Sequence, residues 1–397
     1  MSDSAATYRA AGVDVAAGDL AVELMKQSVT RTHGPEVLGG VGGFAGLWDA
    51  SALQGYRHPL LATSTDGVGT KVAIAQALDI HDTIGQDLVA MVVDDIVVVG
   101  AKPLFMTDYI ACGRVVPDRI AAIVRGIAEA CEATGTALVG GETAEHPGLL
   151  GADEYDVAGA AVGAVEADAV LGPERVEDGD VVLALASSGL HSNGFSLVRH
   201  VLAGAGIDVR DELPEFGGVV GEALLTPTRL YTAPLVSILE DPETGRGIHA
   251  LSHVTGGGIA ANLARVLPRG AAVELDRSTW SPSPVFRVLS DIAGTSLESA
   301  EGTWNLGVGF LAVVAERDVD AIVAALAASG IPAWVAGRVS LAPFDSAAPR
   351  SGGRESGARA GSGDSGVRSG SGESDGWVVG AKGVDGGAVR LVGSYAD

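Results

Sequence analysis

Residues 82–112 read DTIGQDLVAMVVDDIVVVGAKPLFMTDYIAC, and the pattern changes once along them. Residues 82–99 are apolar with helical spacing, which predicts a helix; from Pro103 to Cys112 the run reads as a strand. Working outward, residues 60–65 form a second strand and 19–32 a helix with the stripe Leu20, Leu24, Met25 and Val29. Downstream, Pro117 opens a helix to residue 133, proline being favourable in a first turn, and strands follow at 136–139 and 157–165. Helical and strand patterns alternate in this way nearly throughout. The fold class expected is therefore α/β (α+β).

Leu171-Gly172-Pro173 and the acidic turn Glu177-Asp178-Gly179-Asp180 break the pattern and mark a domain boundary. The second half opens with a buried strand at 181–186. Helices follow near 196–202, 228–239, 259–267 and 319–328, with strands at 272–275, 308–314 and 333–339. Residues 346–376 are rich in Gly and Ser with almost no aliphatic side chains, so they are expected to be disordered. Strand chemistry returns at 377–379 and 389–392. The expected organisation is an N-terminal domain 1–170, a C-terminal domain 175–345, the insertion 346–376 and a closing strand segment 377–397.

At 397 residues the chain exceeds one ordinary core, and its hydrophobic fraction of 47% suffices for two. The net charge is -24 with only four lysines, which argues against nucleic acid as a partner. A small anionic substrate stays possible, because a few backbone amides override a distant net charge. Cys112 and Cys131 lack metal-ligand spacing and read as reduced cytosolic thiols. The start Met1-Ser2-Asp3-Ser4 has no signal-peptide pattern, and the longest apolar stretch, 88–99, is interrupted by Asp94 and Asp95. That stretch is too short to span a bilayer, so no membrane association and a cytoplasmic location are expected.

No lysine follows a glycine, which excludes a P-loop, and the one literal GxGxxG (Gly361, Gly363, Gly366) lies in the low-complexity segment. Other features carry the chemistry. Thr65-Asp66-Gly67-Val68-Gly69-Thr70-Lys71 leads from a strand into a helix, offering bare amides, a cation and an acid, or else a capped turn. Asp87, Asp94 and Asp95 sit in an apolar helix, where unpaired carboxylates are costly to bury; Mg²⁺ is one remedy, water or an arginine another. Gly140-Gly141-Glu142-Thr143-Ala144-Glu145 ends a strand in glycines and acids. His191-Ser192-Asn193-Gly194 forms a polar strand-to-helix loop, and Thr255-Gly256-Gly257-Gly258 enters a helix as a phosphate cradle or a hinge. Gly39-Gly40-Val41-Gly42-Gly43-Phe44 could close over a nucleotide or merely link two elements.

In combination and order these motifs resemble the phosphoribosylformylglycinamidine cyclo-ligase (aminoimidazole ribonucleotide synthetase) family. The resemblance runs from Tyr8-Arg9-Ala10-Ala11-Gly12-Val13-Asp14 to Val339 and covers roughly nine-tenths of the chain outside the insertion. It implies a two-domain α/β protein whose N-terminal sheet pairs with a second subunit in a barrel-like homodimer core. The implied reaction cyclises formylglycinamidine ribonucleotide with ATP in purine biosynthesis. The same resemblance implies Mg²⁺ held by Asp66, Asp95 and Glu142, with Asp94 a close rival and Asp87 a weaker one. It implies catalytic roles for Asp66, Lys71 and His191, Lys71 meeting the ATP phosphates. Gly40, Gly42, Gly43 and Phe44 would cover the nucleotide, and Gly67, Gly69, Thr70, Gly140 and Gly141 would bind it. Ser192 and Asn193 would lie at the substrate amide, and Thr255, Gly256, Gly257 and Gly258 at its phosphate. Where the family pattern has asparagine before the metal-binding aspartate, this chain has Asp94. A thiamine-monophosphate kinase-like enzyme of the same superfamily, or a non-catalytic nucleotide-binding regulator, would share many of these features.

Overall fold

The computed structural model describes residues 14–341 and 376–396. The segment 8–13 of the family resemblance, and the 346–375 stretch expected to be disordered, lie outside the described residues. Among the described residues no helix is long and apolar enough to cross a membrane.

The first unit holds α1 (Val15–Arg31), β1 (Pro59–Gly67), α2 (Val72–Leu78), α3 (Asp82–Val98), β2 (Lys102–Cys112), α4 (Pro117–Thr134), β3 (Ala137–Glu145) and β4 (Tyr155–Glu166). Its sheet has the order β1-β4-β2-β3. The β2–α4–β3 crossover makes β2 and β3 parallel, while β4 runs antiparallel to both β1 and β2. Helices α3 and α4 pack together against one face. Glycine permits the close approach: a Cβ on Gly85 would strike the backbone of Ile127, and one on Gly126 the carbonyl of Asp82. The opposite face is open, with Leu61 65% and Tyr109 41% exposed. Strand β3 does not stop at residue 139. It continues through Gly140, Gly141 and Glu142 because β2 supplies partners along that whole length.

The second unit holds β5 (Val181–Ala186), α5 (Phe195–Ala205), α6 (Thr232–Glu240), β6 (Ile248–His253), α7 (Gly258–Ala264), β7 (Ala272–Asp276), β8 (Val308–Val314), α8 (Val319–Ala328), β9 (Ala333–Ser340), β10 (Val378–Ala381) and β11 (Val384–Val392). Its seven strands run in the order β6-β8-β5-β9-β7-β11-β10. Strand β5 is buried on both faces, Val182 and Ala184 in one core and Val181, Leu183 and Leu185 in the other, hence its unbroken apolar run. Strand β6 is not evident from periodicity because its His249, Ser252 and His253 are buried polar residues. His249 Nδ1 sits 2.7 Å from Asp180 Oδ2. At the far edge β10 and β11 form a hairpin, and β11 runs parallel to β7.

Helix α3 joins the two units. Leu88 and Val92 lie in the core of the first, whereas Val97 packs with Leu235 and Leu326 of the second.

Candidate functional site

The three acids of α3 have three different surroundings. Asp87 is fully buried, and Lys71 Nζ donates to its Oδ1 at 2.8 Å while Thr228 gives it an amide and a hydroxyl at 2.8 and 2.6 Å. Lys71 is fully buried too, and also donates to the Thr226 carbonyl at 2.8 Å. Burial pulls its pKa below the ordinary lysine value, and Asp87 works against that. Lys71, expected to meet the ATP phosphates, has its ammonium enclosed by Asp87, Thr226 and the Phe195 ring.

Asp94 is likewise enclosed. Its Oδ1 accepts from the Thr232 hydroxyl at 2.6 Å and the Thr232 and Tyr231 amides at 2.9 and 3.2 Å. Burial pushes its pKa up to about 6. Neither Asp87 nor Asp94 therefore presents an open carboxylate. Asp95 does: its side chain is 42% exposed, and its Oδ1 lies 2.9 Å from His253 Nδ1.

His253 ends β6, buried and stacked on Phe310 with ring centroids 5.5 Å apart. Its Nε2 is buried without a partner. Burial opposes a charged ring, but Asp95, Asp94 and Asp66 outweigh it and hold the pKa above the usual histidine value. Asp66, near the end of β1, belongs to the same cluster. Burial and then the Asp95 charge raise its pKa, against the Gly67 amide, His253 and Lys382.

Glu142 does not join this cluster within one chain. In the strand register Gly67, Ala158, Tyr109 and Glu142 form one row across the sheet. Asp66 and Glu142 are thus on opposite edges, about 14 Å apart at three strand spacings. Among the described residues no group of three or more His, Cys, Asp or Glu side chains is arranged to hold a metal ion. The expected set of Asp66, Asp95 and Glu142 is therefore incomplete in a single copy.

Glu142 instead lines a cavity of about 400 Å³ between α1, α4 and β3. Gly40, Gly42, Gly43, Gly140 and Gly141 also line it, so five of the glycines expected around a nucleotide meet there. Phe44 points into solvent, fully exposed. Gly67, Gly69 and Thr70 lie elsewhere, at the β1 end beside α5, where the Thr70 and Ser196 hydroxyls are 3.1 Å apart. Asp108 on β2 also lines the cavity, next to Gly141, and burial pushes its pKa up to about 7. Asp108 and His253 escaped the sequence reading. For Asp108 the available signal was an acid in a largely apolar strand; His253 had none, because its own strand is too polar to show a period.

The His191 loop sits between the units. His191 has a left-handed φ of 61° and is buried, and its Nε2 accepts the Ser188 amide at 3.1 Å. Burial, then the charges of His253, Lys71 and Arg229, lower its pKa well below the usual value. This is the loop-shaping hydrogen bond; the ring packs on Gly309 of β8, where any side chain would displace it. His191, expected to be catalytic, thus has its Nε2 in an internal contact, while its Nδ1 is buried without a hydrogen-bond partner. The loop does bring Asn193 beside Gly256, and Ser192 Oγ lies 3.2 Å from Thr228 Oγ1. The Thr255–Gly258 turn is held by Asn262, which donates to the carbonyls of Thr255 and Gly258 at 3.0 and 2.8 Å.

Two family models match this chain: AIR synthase related protein, N-terminal domain, over residues 49–165, and AIR synthase related protein, C-terminal domain, over 177–343. The chain belongs to the AIR synthase related family. Within it, the chain is 48% identical over 335 residues to a phosphoribosylformylglycinamidine cyclo-ligase of Shouchella clausii (strain KSM-K16), covering 84% of this chain and 95% of that one. It is 50% identical over 336 residues to the enzyme of that name from Sorangium cellulosum (strain So ce56), with the same two coverages. The fold is shared with a thiamine-monophosphate kinase from Stenotrophomonas maltophilia K279a (TM-score 0.58, 20% identity, 80% of this chain and 93% of that one). It is also shared with a hydrogenase maturation protein HypE in complex with ATP (TM-score 0.56, 19% identity, 82% and 87%). The two matches leave residues 166–176 between them, and both end before β10.

Proposed function

We propose that this chain is an ATP-dependent cyclo-ligase that converts formylglycinamidine ribonucleotide to 5-aminoimidazole ribonucleotide, releasing ADP and phosphate, in purine biosynthesis. The observation that carries this reading is the 48–50% identity to cyclo-ligases over 95% of their length. The chemistry is a C–N ring closure. The γ-phosphoryl group of ATP passes to the amide oxygen, giving an iminophosphate. The neighbouring nitrogen attacks that carbon, the C–O bond breaks, phosphate leaves and the nitrogen loses its proton.

The residues divide this work by position. Asp66 and Asp95 offer adjacent, partly open oxygen donors, the type that suits Mg²⁺, and His253 holds one oxygen of Asp95 in place. Mg²⁺ there would neutralise phosphate charge. The glycines of the 40–43 and 140–141 segments would enclose ATP; Ser192 and Asn193 would meet the substrate amide, with Thr255, Gly256, Gly257 and Gly258 around its phosphate. His191 would act by shaping the loop that carries Ser192 and Asn193. Residues 1–170 would form the nucleotide-binding and dimerisation domain, 175–345 the second domain, and 377–397 an added strand segment.

A homodimer completes the site in this reading. The open sheet face, with Leu61, Thr63, Thr65 and Tyr109 exposed, suits a second copy, which would carry its Glu142 toward Asp66 and Asp95. Two free, buried cysteines accord with a cytoplasmic location.

The test is turnover by purified protein with the proposed ribonucleotide, following ADP and aminoimidazole together. Both should appear in step and only with ribonucleotide present. ADP release without aminoimidazole would sink the cyclo-ligase reading and favour a kinase.

A further inference from the structure

The residues placed at the ribonucleotide sit on two loops, 187–194 and 255–258, and a third segment, 301–305, touches both. The Glu301 carbonyl lies against Gly258, so close that any Cβ there would collide with it, and Gly258 has a left-handed φ of 74°. Thr303 and Trp304 fill the space where a Cβ on Gly194 would fall. Asn305 donates from Nδ2 to the Gly189 carbonyl at 2.8 Å, and Trp304 and Asn305 are both buried. The position of 301–305 thus sets the spacing of the two loops.

The Glu301 side chain ties this segment to the far end of the chain. Arg277 grips the carboxylate with two bonds, Nε to Oε1 at 2.6 Å and Nη2 to Oε2 at 2.9 Å. The Tyr395 hydroxyl donates to the same Oε1 at 2.7 Å. The pair is mostly enclosed, with the Arg277 side chain 14% and the Glu301 side chain 17% exposed. Bidentate, charge-assisted bonds of this kind are directional and stronger than neutral ones, so they fix where the carboxylate stands.

Tyr395 is itself well seated. It follows β11, beyond residue 343 where the second family match ends. Its ring meets Trp280 edge-on with centroids 5.4 Å apart, and the Arg277 guanidinium stands 5.9 Å from its centre. The next residue is laced down as well: the Ala396 amide donates to the Trp280 carbonyl at 3.1 Å, and Arg287 donates to the Ala396 carbonyl. A phenylalanine would fill the same place on Trp280. The hydroxyl adds one thing, the bond to Glu301.

We propose that Tyr395 is a positioning residue for the ribonucleotide: acting through Glu301, it holds the 187–194 and 255–258 loops at the spacing that substrate binding requires. This rests on the reading above that puts the ribonucleotide at those loops, and the test keeps the two apart. Tyr395→Phe should fold and melt close to wild type while raising the ribonucleotide KM about threefold to tenfold at nearly constant kcat, with the KM for Mg·ATP unmoved. Glu301→Ala should raise the same KM further, and Glu301→Gln, which keeps an acceptor for Tyr395, should recover part of it. In the Glu301→Ala background Tyr395→Phe should add nothing, since the hydroxyl then has no carboxylate to hold. An unchanged ribonucleotide KM in Tyr395→Phe would overturn the proposal. So would an effect that persists without Glu301, or a fall in melting temperature and kcat with KM unmoved. If the wild type makes no aminoimidazole, amide hydrogen exchange decides for the brace alone: faster exchange at 189–194 and 255–258 in Tyr395→Phe supports it, and unchanged exchange overturns it.

Discussion

Lys71 and Asp87 bury a complete ion pair between the first unit and the 226–228 loop of the second. Burying charge is costly, and what offsets it here is the Lys71 ammonium together with the Thr228 amide and hydroxyl on Asp87 Oδ1. Lys71→Met would leave Asp87 buried with only Thr228 as donor. We expect it to lower unfolding stability by about 3–5 kcal/mol, read as a shift in denaturant midpoint at unchanged slope. Mg·ATP affinity of the folded fraction should stay near wild type. If stability is kept and ATP affinity collapses, the lysine belongs at the phosphates after all.

At the scale of elements, Asp94 decides where α6 begins. The helical pattern extends back to Thr228, but the helix starts at Thr232 because α3 offers a carboxylate to the Tyr231 and Thr232 amides. An asparagine, the residue of the family pattern, could accept the same bonds without a buried charge. For Asp94, with its pKa raised from 3.8 to about 6, the neutral form is the one favoured in the folded state. That contribution is fully present below pH 4 and is lost as pH rises through 6, a difference of about 3 kcal/mol. In metal-free buffer Asp94→Asn should therefore melt close to wild type near pH 4 and clearly above it at pH 8. A gap that closes as pH rises would contradict the sign of this argument.

For the whole molecule, the separation of Glu142 from Asp66 and Asp95 makes subunit assembly a catalytic question. If each site takes Asp95 from one copy and Glu142 from the other, Asp95→Ala and Glu142→Ala should each be inactive alone. Mixed after joint refolding, half of the dimers would be hybrids with one intact site, restoring about a quarter of wild-type activity. No recovery, with hybrid dimers confirmed by mass, would place all the ligands in one chain.

The two-unit α/β organisation, the break near Gly172 and most helices and strands were legible in the sequence, because they follow from the period of apolar residues along a local stretch. The acids of α3 stood out too, because carboxylates are costly in an apolar helix, but the helical pattern did not separate Asp95 from Asp87 and Asp94. Three things depended on residues far apart in the chain. Lys71 meets Thr226 across 155 positions, Asp94 meets Thr232 across 138, and His253 meets Asp95 across 158. Periodicity states which face a side chain occupies, but not which distant amide or carboxylate is brought against it. Which acids are enclosed, which lysine is buried and which edge of the sheet carries Glu142 were therefore decided only by tertiary packing, since burial and partners determine what a charge can do.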